Sequence, residues 1–448
     1  MRSRLPTLYV LALRIVNASW IDRVCLPLMT IMSAFIALLN FRAKHEFHTI
    51  EKHLVFKERI LHGFATSDVM PSYPIPPTYP MWGYGWVLLL TTNKLLLIAL
   101  QMAVAIFSAW YFLRVLDECN LLNRWSRFLI RIFVVFCVPW YAYNSFEWSQ
   151  SLATSFLILS LSLLIGAAHR NSAAWWWLGL SAACFGLNLN LASDLYLLPI
   201  PLAFAYWWYT GPSRAAAARA TLWFAGVVLT LVPWMIYTWH ATGTPLVKST
   251  DQGDVLFIGL GQDSQRRFGV TYSDGDPKMY QILREQLGES FARRFYAASS
   301  YEADAVLRRA FIQMVANQPL AYVDLVTSRL WDILSGEAGT YTGEFDEGDN
   351  VGSFGIGAPL RKLVRRFAQR VGHRLQLGTT LFAPVALWAA LRRRRPAWAF
   401  VLLPIAYQYL SCSVAVLQPR YLSNLILLQL LVCAHGLGAA FSFLLEKK

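Results

Sequence analysis

Apolar runs of helical length recur along the chain, separated mostly by short polar connections. They fall near 24–41, 95–116, 127–143, 150–168, 173–188, 194–211, 221–240, 377–391, 397–416 and 421–443. Several hold about 18 or more apolar residues with hardly a charge, the length a helix needs to cross a bilayer. The stretch 81–91 is too brief to cross. The pattern predicts an all-α polytopic membrane protein of about ten transmembrane helices. Two polar segments, 42–80 and 241–376, interrupt it. The second is too long for a bare connector. It contains helix-like pieces at 277–297 and 302–334, then the Gly/Asp-rich GEAGTYTGEFDEGDNVGSFGIG, and is expected to form a mixed loop domain. The chain so divides into a membrane bundle over 1–240 that carries the first loop 42–80, a loop domain over 241–376, and membrane helices over 377–448.

Charge gives this layout a direction. With the N-terminus inside, alternate crossing puts Arg124, Arg127, His169, Arg170, Arg214, Arg219, the run Arg392 to Arg395, Lys447 and Lys448 on one side. The positive-inside rule makes that side cytoplasmic, with both termini, and turns the two long segments outward. The strongly basic LRKLVRRFAQRVGHRLQ (360–376) then lands outside. It reads as an amphipathic helix on the outer leaflet, either anchoring to headgroups or attracting a lipid phosphate. At the start, MRSRLPTLYVLALRIVNASWIDR reads as an interfacial cytoplasmic helix rather than a cleaved signal, because Arg14 interrupts its apolar patch.

Composition narrows the class. The chain is 56% hydrophobic and 15% charged, too apolar for a soluble fold. Its formal net charge of +14 fits Lys/Arg facing anionic lipid, and no nucleic-acid module is present. The six cysteines show no CxxC spacing, so neither a disulfide framework nor a zinc site is indicated. No GxxxxGK[ST], nucleophile elbow or HExxH is found. No metal site and no cofactor is expected.

Candidate chemistry clusters at the outer ends of the predicted spans. FRAKHEFHTIEKHLVFKERILHG places Glu46 and Glu51 among histidines beside the first span. Each is a candidate general base, or a charge on the wet face of an interfacial helix. Arg420 in VLQPRYLSNLILL is a candidate phosphate ligand or a snorkelling anchor beside Tyr421. Lys248 is a similar case. Asp194 and Glu147 are acids near span ends and read as solvated termini, although acids at such depth invite a functional reading. Asp274-Gly275-Asp276 has the form of a metal-binding DxD, but beside Pro277 it reads as a turn. Between the first loop and the short stretch 81–91, YPIPPTYPMWGYG places Pro77, Tyr79, Trp82 and Tyr84 in a rigid aromatic elbow. They are expected to wall a cavity or to sit in the interface belt.

Four segments in chain order resemble a known family. IPPTYPMWGYG is similar to its PPxYP segment, and PWMIYTWHATGTPLVKSTDQGDVLFIG to its PWxIRNYxxxGxxxPxSTxxGxxLxxG segment. YEADAVLRRAFIQMVANQPLAYVDLVTSRL resembles its outer helix pair, and QPRYLSNLILLQLLVCAHGLG its xxRYxxPxxPLLxLLAxxGL ending. The layout thus resembles the polytopic GT-C-type, lipid-sugar-dependent glycosyltransferases, in the branch of the protein O-mannosyltransferases and the 4-amino-arabinose transferase of lipid A. The resemblance implies a sugar donor on a polyprenyl phosphate, single displacement, a carboxylate base at Glu46 or Glu51, and a phosphate contact at Arg420. It also implies a multi-pass protein of the bacterial inner membrane that works on the outer face for an acceptor not specified. The chain departs from the pattern at Gln150, where a Glu is common, at Ala192-Ser193-Asp194 in place of TRP, and at Tyr237-Thr238 in place of Arg-Asn. Two competing readings are a flippase for a lipid-linked glycan, which would show repeated halves, and an inactive scaffold of the same fold.

Overall fold

The computed structural model describes residues 20–41, 48–61, 76, 78–79, 81–145, 149–170, 174–294, 297–339, 357–392 and 396–446. The described residues form helices and turns with no strand, so the expected mixed loop domain is helical in its described part. In chain order the helices are α1 Trp20–Phe41, α2 His48–Leu61, α3 Gly83–Leu90, α4 Lys94–Glu118, α5 Arg124–Phe136, α6 Val138–Asn144, α7 Ser149–Arg170, α8 Ala174–Leu191, α9 Pro199–Thr210 and α10 Arg214–Thr242. They continue as α11 Gln252–Gly259, α12 Pro277–Leu287, α13 Glu289–Ala292, α14 Tyr301–Asn317, α15 Pro319–Ser335, α16 Gly357–Arg392, α17 Ala399–Val414, α18 Pro419–Ser423 and α19 Ile426–Glu446.

Local sequence explains most boundaries. The side chains of Asn93, Asn123 and Ser213 accept the amides of Leu96, Ser126 and Ala216, which caps α4, α5 and α10. Gly243, at φ +74°, ends α10 in the left-handed conformation that glycine adopts without strain. Pro319 at the first turn of α15 divides the predicted 302–334 piece into two helices.

Among the described residues four helices are long and apolar enough to cross a membrane: α4, α7, α10 and α19. A fifth crossing is available if α5 and α6, bent by 52° at Cys137, act together. Ten such helices are not found among the described residues. The predicted 194–211 run is a short 3-10 turn followed by α9, which starts only at Pro199. The 377–391 run is the lower half of the 36-residue α16, which passes without a break through the expected domain boundary at 376/377. The run at 421–443 is broken between α18 and α19. Periodicity marks apolar faces, but it does not say where a short-range turn interrupts the backbone ladder.

Helix α7 is the central post, packed on α4 and α8. Small residues permit this closeness. The hydroxyl of Ser160 donates to the carbonyl of Ser181 and that of Ser181 to the carbonyl of Ser160, both at 2.8 Å. Trp223 on α10 donates to the Ser181 hydroxyl at 3.0 Å. Intramembrane polar contacts of this kind are worth about 0.6–2 kcal/mol each. The periphery exposes Trp175, Trp176, Phe204, Trp208, Leu229, Trp239, Trp388 and Phe443, an apolar belt of the sort that lipid covers. At one end of the bundle Asp117 pairs with Arg131 and Arg127, and Glu118 with Arg114 and Arg170. Helices α11 to α15 form a separate helical domain at the other end, around Phe257, Met279, Leu283, Leu307 and Leu325.

Candidate functional site

The helical domain sits against the loop that precedes α18. Arg329 on α15 reaches out of the domain and donates to the carbonyls of Ser413 (3.1 Å), Ala415 (3.0 Å) and Gly259. Gln262 and Leu417 exchange two hydrogen bonds, at 2.7 and 2.9 Å, and Tyr322 donates to the carbonyl of Val414 at 2.8 Å. Gly259 makes this approach possible, because a Cβ there would collide with the Ala415 carbonyl. The connection 415–418 is therefore held along its length, which fixes where α18 starts. From the bundle side, Thr154 donates to the Asn424 side chain at 2.9 Å and Tyr143 donates to the same oxygen. These contacts hold the break between α18 and α19.

Between these clamps lies a cavity of about 270 Å³. Its charged wall is Asp194, Lys248 and Asp251; its opposite wall is one face of α17 with Tyr407, Gln408 and Ser411, closed by Tyr421. Arg420 adjoins it. The guanidinium donates to the Tyr421 hydroxyl at 3.2 Å, lies 5.0 Å from that ring's centre, and acts electrostatically on Asp194 and Tyr79. Lys248 in the cavity wall and Arg420 beside it, more than 170 residues apart in sequence, are thus brought near the same Asp194.

The electrostatics of the site follow from its burial. Desolvation first, and then the neighbouring Asp251, push the Asp194 carboxyl up to about 6 against the pull of Arg420. Its Oδ2 is buried without a hydrogen bond among the described residues. Asp194 is therefore not the solvated terminus that its sequence position suggests. Lys248 is pushed down to about 8 by desolvation, with Asp304 and Asp251 opposing and Arg308 assisting. Its Nζ has no hydrogen bond among the described residues and lies 5.0 Å from the Tyr196 ring centre. Behind this wall, desolvation followed by repulsion from Asp274, Asp251 and Asp304 raises Asp254 to about 7.

The elbow splits between two places. Tyr79 is at the site, coupled to Arg420 and Asp251, and burial raises its phenol above the usual range. Thr78 beside it is hydrogen-bonded to Thr250. Trp82 points into the bundle instead. It donates to Asn190 at 2.9 Å, stacks on Tyr237, and borders a separate, apolar groove of about 480 Å³. Tyr84 is fully buried against His53, with ring centres 5.0 Å apart. Neither lines the charged cavity, because α3 turns both rings inward below the elbow. Pro77, Glu46 and Glu147 lie outside the described residues. Glu51 falls on the first turn of α2.

Asp276 resolves the DxD segment. Its carboxylate accepts the Met279 amide at 2.8 Å and both the amide and the hydroxyl of Thr271, so it caps α12 as the turn reading expects. No group of three metal-ligating side chains occurs among the described residues. Asp251, which lines the cavity, and Asp304, which acts electrostatically on Lys248, were not singled out by sequence reasoning. The available signal was the polar run KSTDQGD, in which Ser249 donates to Asp251 at 2.6 Å and the Gly253 amide to Asp304 at 2.6 Å. No protein-family model matches the chain, and no curated protein sequence matches it.

Proposed function

We propose that this chain is an integral membrane glycosyltransferase that moves a sugar from a polyprenyl-phosphate-linked donor to an acceptor on the side of the helical domain. The observation that carries this reading is the meeting of Lys248 with the protonatable Asp194 in one small cavity, at an end of an apolar bundle, with Arg420 beside it. Two cations suit a phosphate, and the aliphatic lining at Leu197, Val255, Leu256 and Val416 suits the start of a lipid chain.

In this reading the base is Asp194 rather than Glu46 or Glu51. The acceptor hydroxyl oxygen attacks the anomeric carbon and its proton passes to Asp194. The bond from that carbon to the phosphate oxygen breaks, and the electron pair leaves on the phosphate. Arg420 and Lys248 stabilise the growing charge, a contribution of about 3–4 kcal/mol per well-placed donor. A carboxyl near 6 is ionised at neutral pH and basic enough to take a proton late in the step. No residue is required to hold a nucleotide. The domain side is the outer face of a bacterial inner membrane and the termini are cytoplasmic.

The test is sugar transfer from polyprenyl-phosphate donors by the full chain reconstituted in vesicles. Asp194→Asn should abolish transfer and leave donor binding intact. If Asp194→Asn is active and Glu46→Gln or Glu51→Gln is not, the base lies in the first loop. Donor movement across the bilayer without transfer would favour a flippase, and neither would favour a scaffold.

A further inference from the structure

Helix α16 carries a pattern that the transfer chemistry does not use. Leu363 and Leu381, Phe367 and Val385, and Arg370 and Trp388 are all exposed. Each pair is separated by about 18 residues, five whole turns, so all six lie on one face. The helix stays continuous through Pro384. At about 1.5 Å per residue, Arg370 stands about 27 Å above Trp388, close to the thickness of a bilayer's hydrocarbon core of about 30 Å. The exposed apolar face of the lower half, of the kind that lipid covers, therefore continues upward into exposed cations.

There it becomes a ladder. Lys362, Arg366, Arg370 and Arg374 are exposed and make no ion pair among the described residues. They recur every fourth residue, about 6 Å higher at each step. The rungs span about 18 Å, whereas the headgroup layer of a simple phospholipid is roughly 6 Å deep. One layer of phosphates meets the lower rungs only. Lys362 and Arg366 stand above it, with Leu363 and Phe367 between the cations.

We propose that this face of α16 binds a membrane lipid whose headgroup carries two or more anionic groups stacked away from the bilayer. Arg370 and Arg374 meet the anion nearest the acyl chains, Lys362 and Arg366 meet the outer ones, and Leu363 with Phe367 gives the carbon faces of the headgroup an apolar bed. Charge complementarity selects the partner, since four cations on a lipid-facing stripe match a polyanionic amphiphile better than a neutral or singly charged lipid. The proposal is independent of whether the chain transfers sugar.

The test is binding of a labelled bisphosphorylated phosphatidylinositol to the full chain in micelles, with phosphatidylglycerol and the water-soluble inositol trisphosphate as comparison ligands. The bisphosphate lipid should bind at least tenfold more tightly than phosphatidylglycerol, and the soluble headgroup should compete poorly. Each of Lys362→Gln and Arg366→Gln should cost about fivefold toward the bisphosphate lipid and little toward phosphatidylglycerol. Arg366→Lys should retain most of the binding, and unchanged thermal unfolding would show that the fold is intact. Equal affinity for both lipids, competition by the soluble headgroup at lipid-like strength, or an unaltered Lys362→Gln/Arg366→Gln double variant would overturn the proposal.

Discussion

The hydroxyl oxygens of Thr78 and Thr250 lie 2.7 Å apart, although 172 residues separate them. Thr250 gives its own proton to the carbonyl of Ser299 at 2.7 Å, so Thr78 is the donor between the pair. The Thr250 amide also donates to the Thr78 carbonyl at 3.2 Å. The elbow is thereby tied to the segment that carries Lys248 and Asp251, and Tyr79 is delivered to Arg420. Replacing Thr250 by Val leaves both the Ser299 carbonyl and the Thr78 hydroxyl without this partner in a buried place. The variant should lose about 1–3 kcal/mol of stability, read as a lower unfolding temperature in detergent, and its transfer rate should fall further than Thr78→Val lowers it.

Transfer should follow a bell-shaped pH profile. With Asp194 as base, the rate rises as its carboxyl ionises through about pH 6, and with Lys248 on the phosphate it falls as that ammonium is lost through about pH 8. Lys248→Arg should extend the alkaline limb upward, since a guanidinium does not titrate there. A profile for this variant that still falls near pH 8 would remove Lys248 from the assignment.

Stability should show the opposite sign for the acids. The folded-state values of Asp194 and Asp254, about 6 and about 7, lie above the ordinary carboxylate value. The folded chain therefore binds more protons than the unfolded one from the ordinary carboxylate value of about 4 up to these raised values, and stability falls as pH rises through that window. Asp254→Asn should remove part of this loss and raise the unfolding temperature above pH 7, with little change in the acid range. A pH-independent effect would mean that Asp254 matters by packing alone.

Arg329 should behave as a positioning residue. Its contacts with Ser413, Ala415 and Gly259 hold the path into Arg420 and place no group on substrate. Arg329→Met leaves three carbonyls without their donor and should cost about 3 kcal/mol or more. At a temperature where the variant is folded, KM for donor should rise more than kcat falls, because Arg420 loses its fixed approach. Arg420→Gln should instead depress kcat strongly, with unfolding close to wild type.

Gly253 offers a check on the contact between α11 and α14. A Cβ there would collide with the carbonyl of Asp304. Gly253→Ala should destabilise by about 1–3 kcal/mol through overpacking, and it should weaken the seat of Asp304 that faces Lys248.

Much of the architecture was legible along the chain. Runs such as 150–168 and 221–240 became α7 and α10 because a continuous apolar stretch of that length has one good way to satisfy its backbone. Asn93, Asn123 and Ser213 cap helix starts by chemistry that acts over three residues. Arg420 and Lys248 were recognisable as cations at span ends. The breaks were less legible: Cys137, the turn at Ser193–Leu195, and Asn424 interrupt apolar runs whose composition gives no warning. Tertiary partners hold the last of these interruptions, where Tyr143 and Thr154 donate to Asn424.

Sequence alone determined the helical class, the apolar belt and the presence of cations near both ends of α16, since each depends on residues a few positions apart. Only the tertiary structure decided that Lys248 and Asp194 share a cavity with Arg420 beside it, that Trp82 and Tyr84 turn away from it, and that Asp194 is desolvated. Desolvation and charge coupling depend on what lies within a few ångströms in space, and here those neighbours come from segments scattered between Tyr79 and Tyr421.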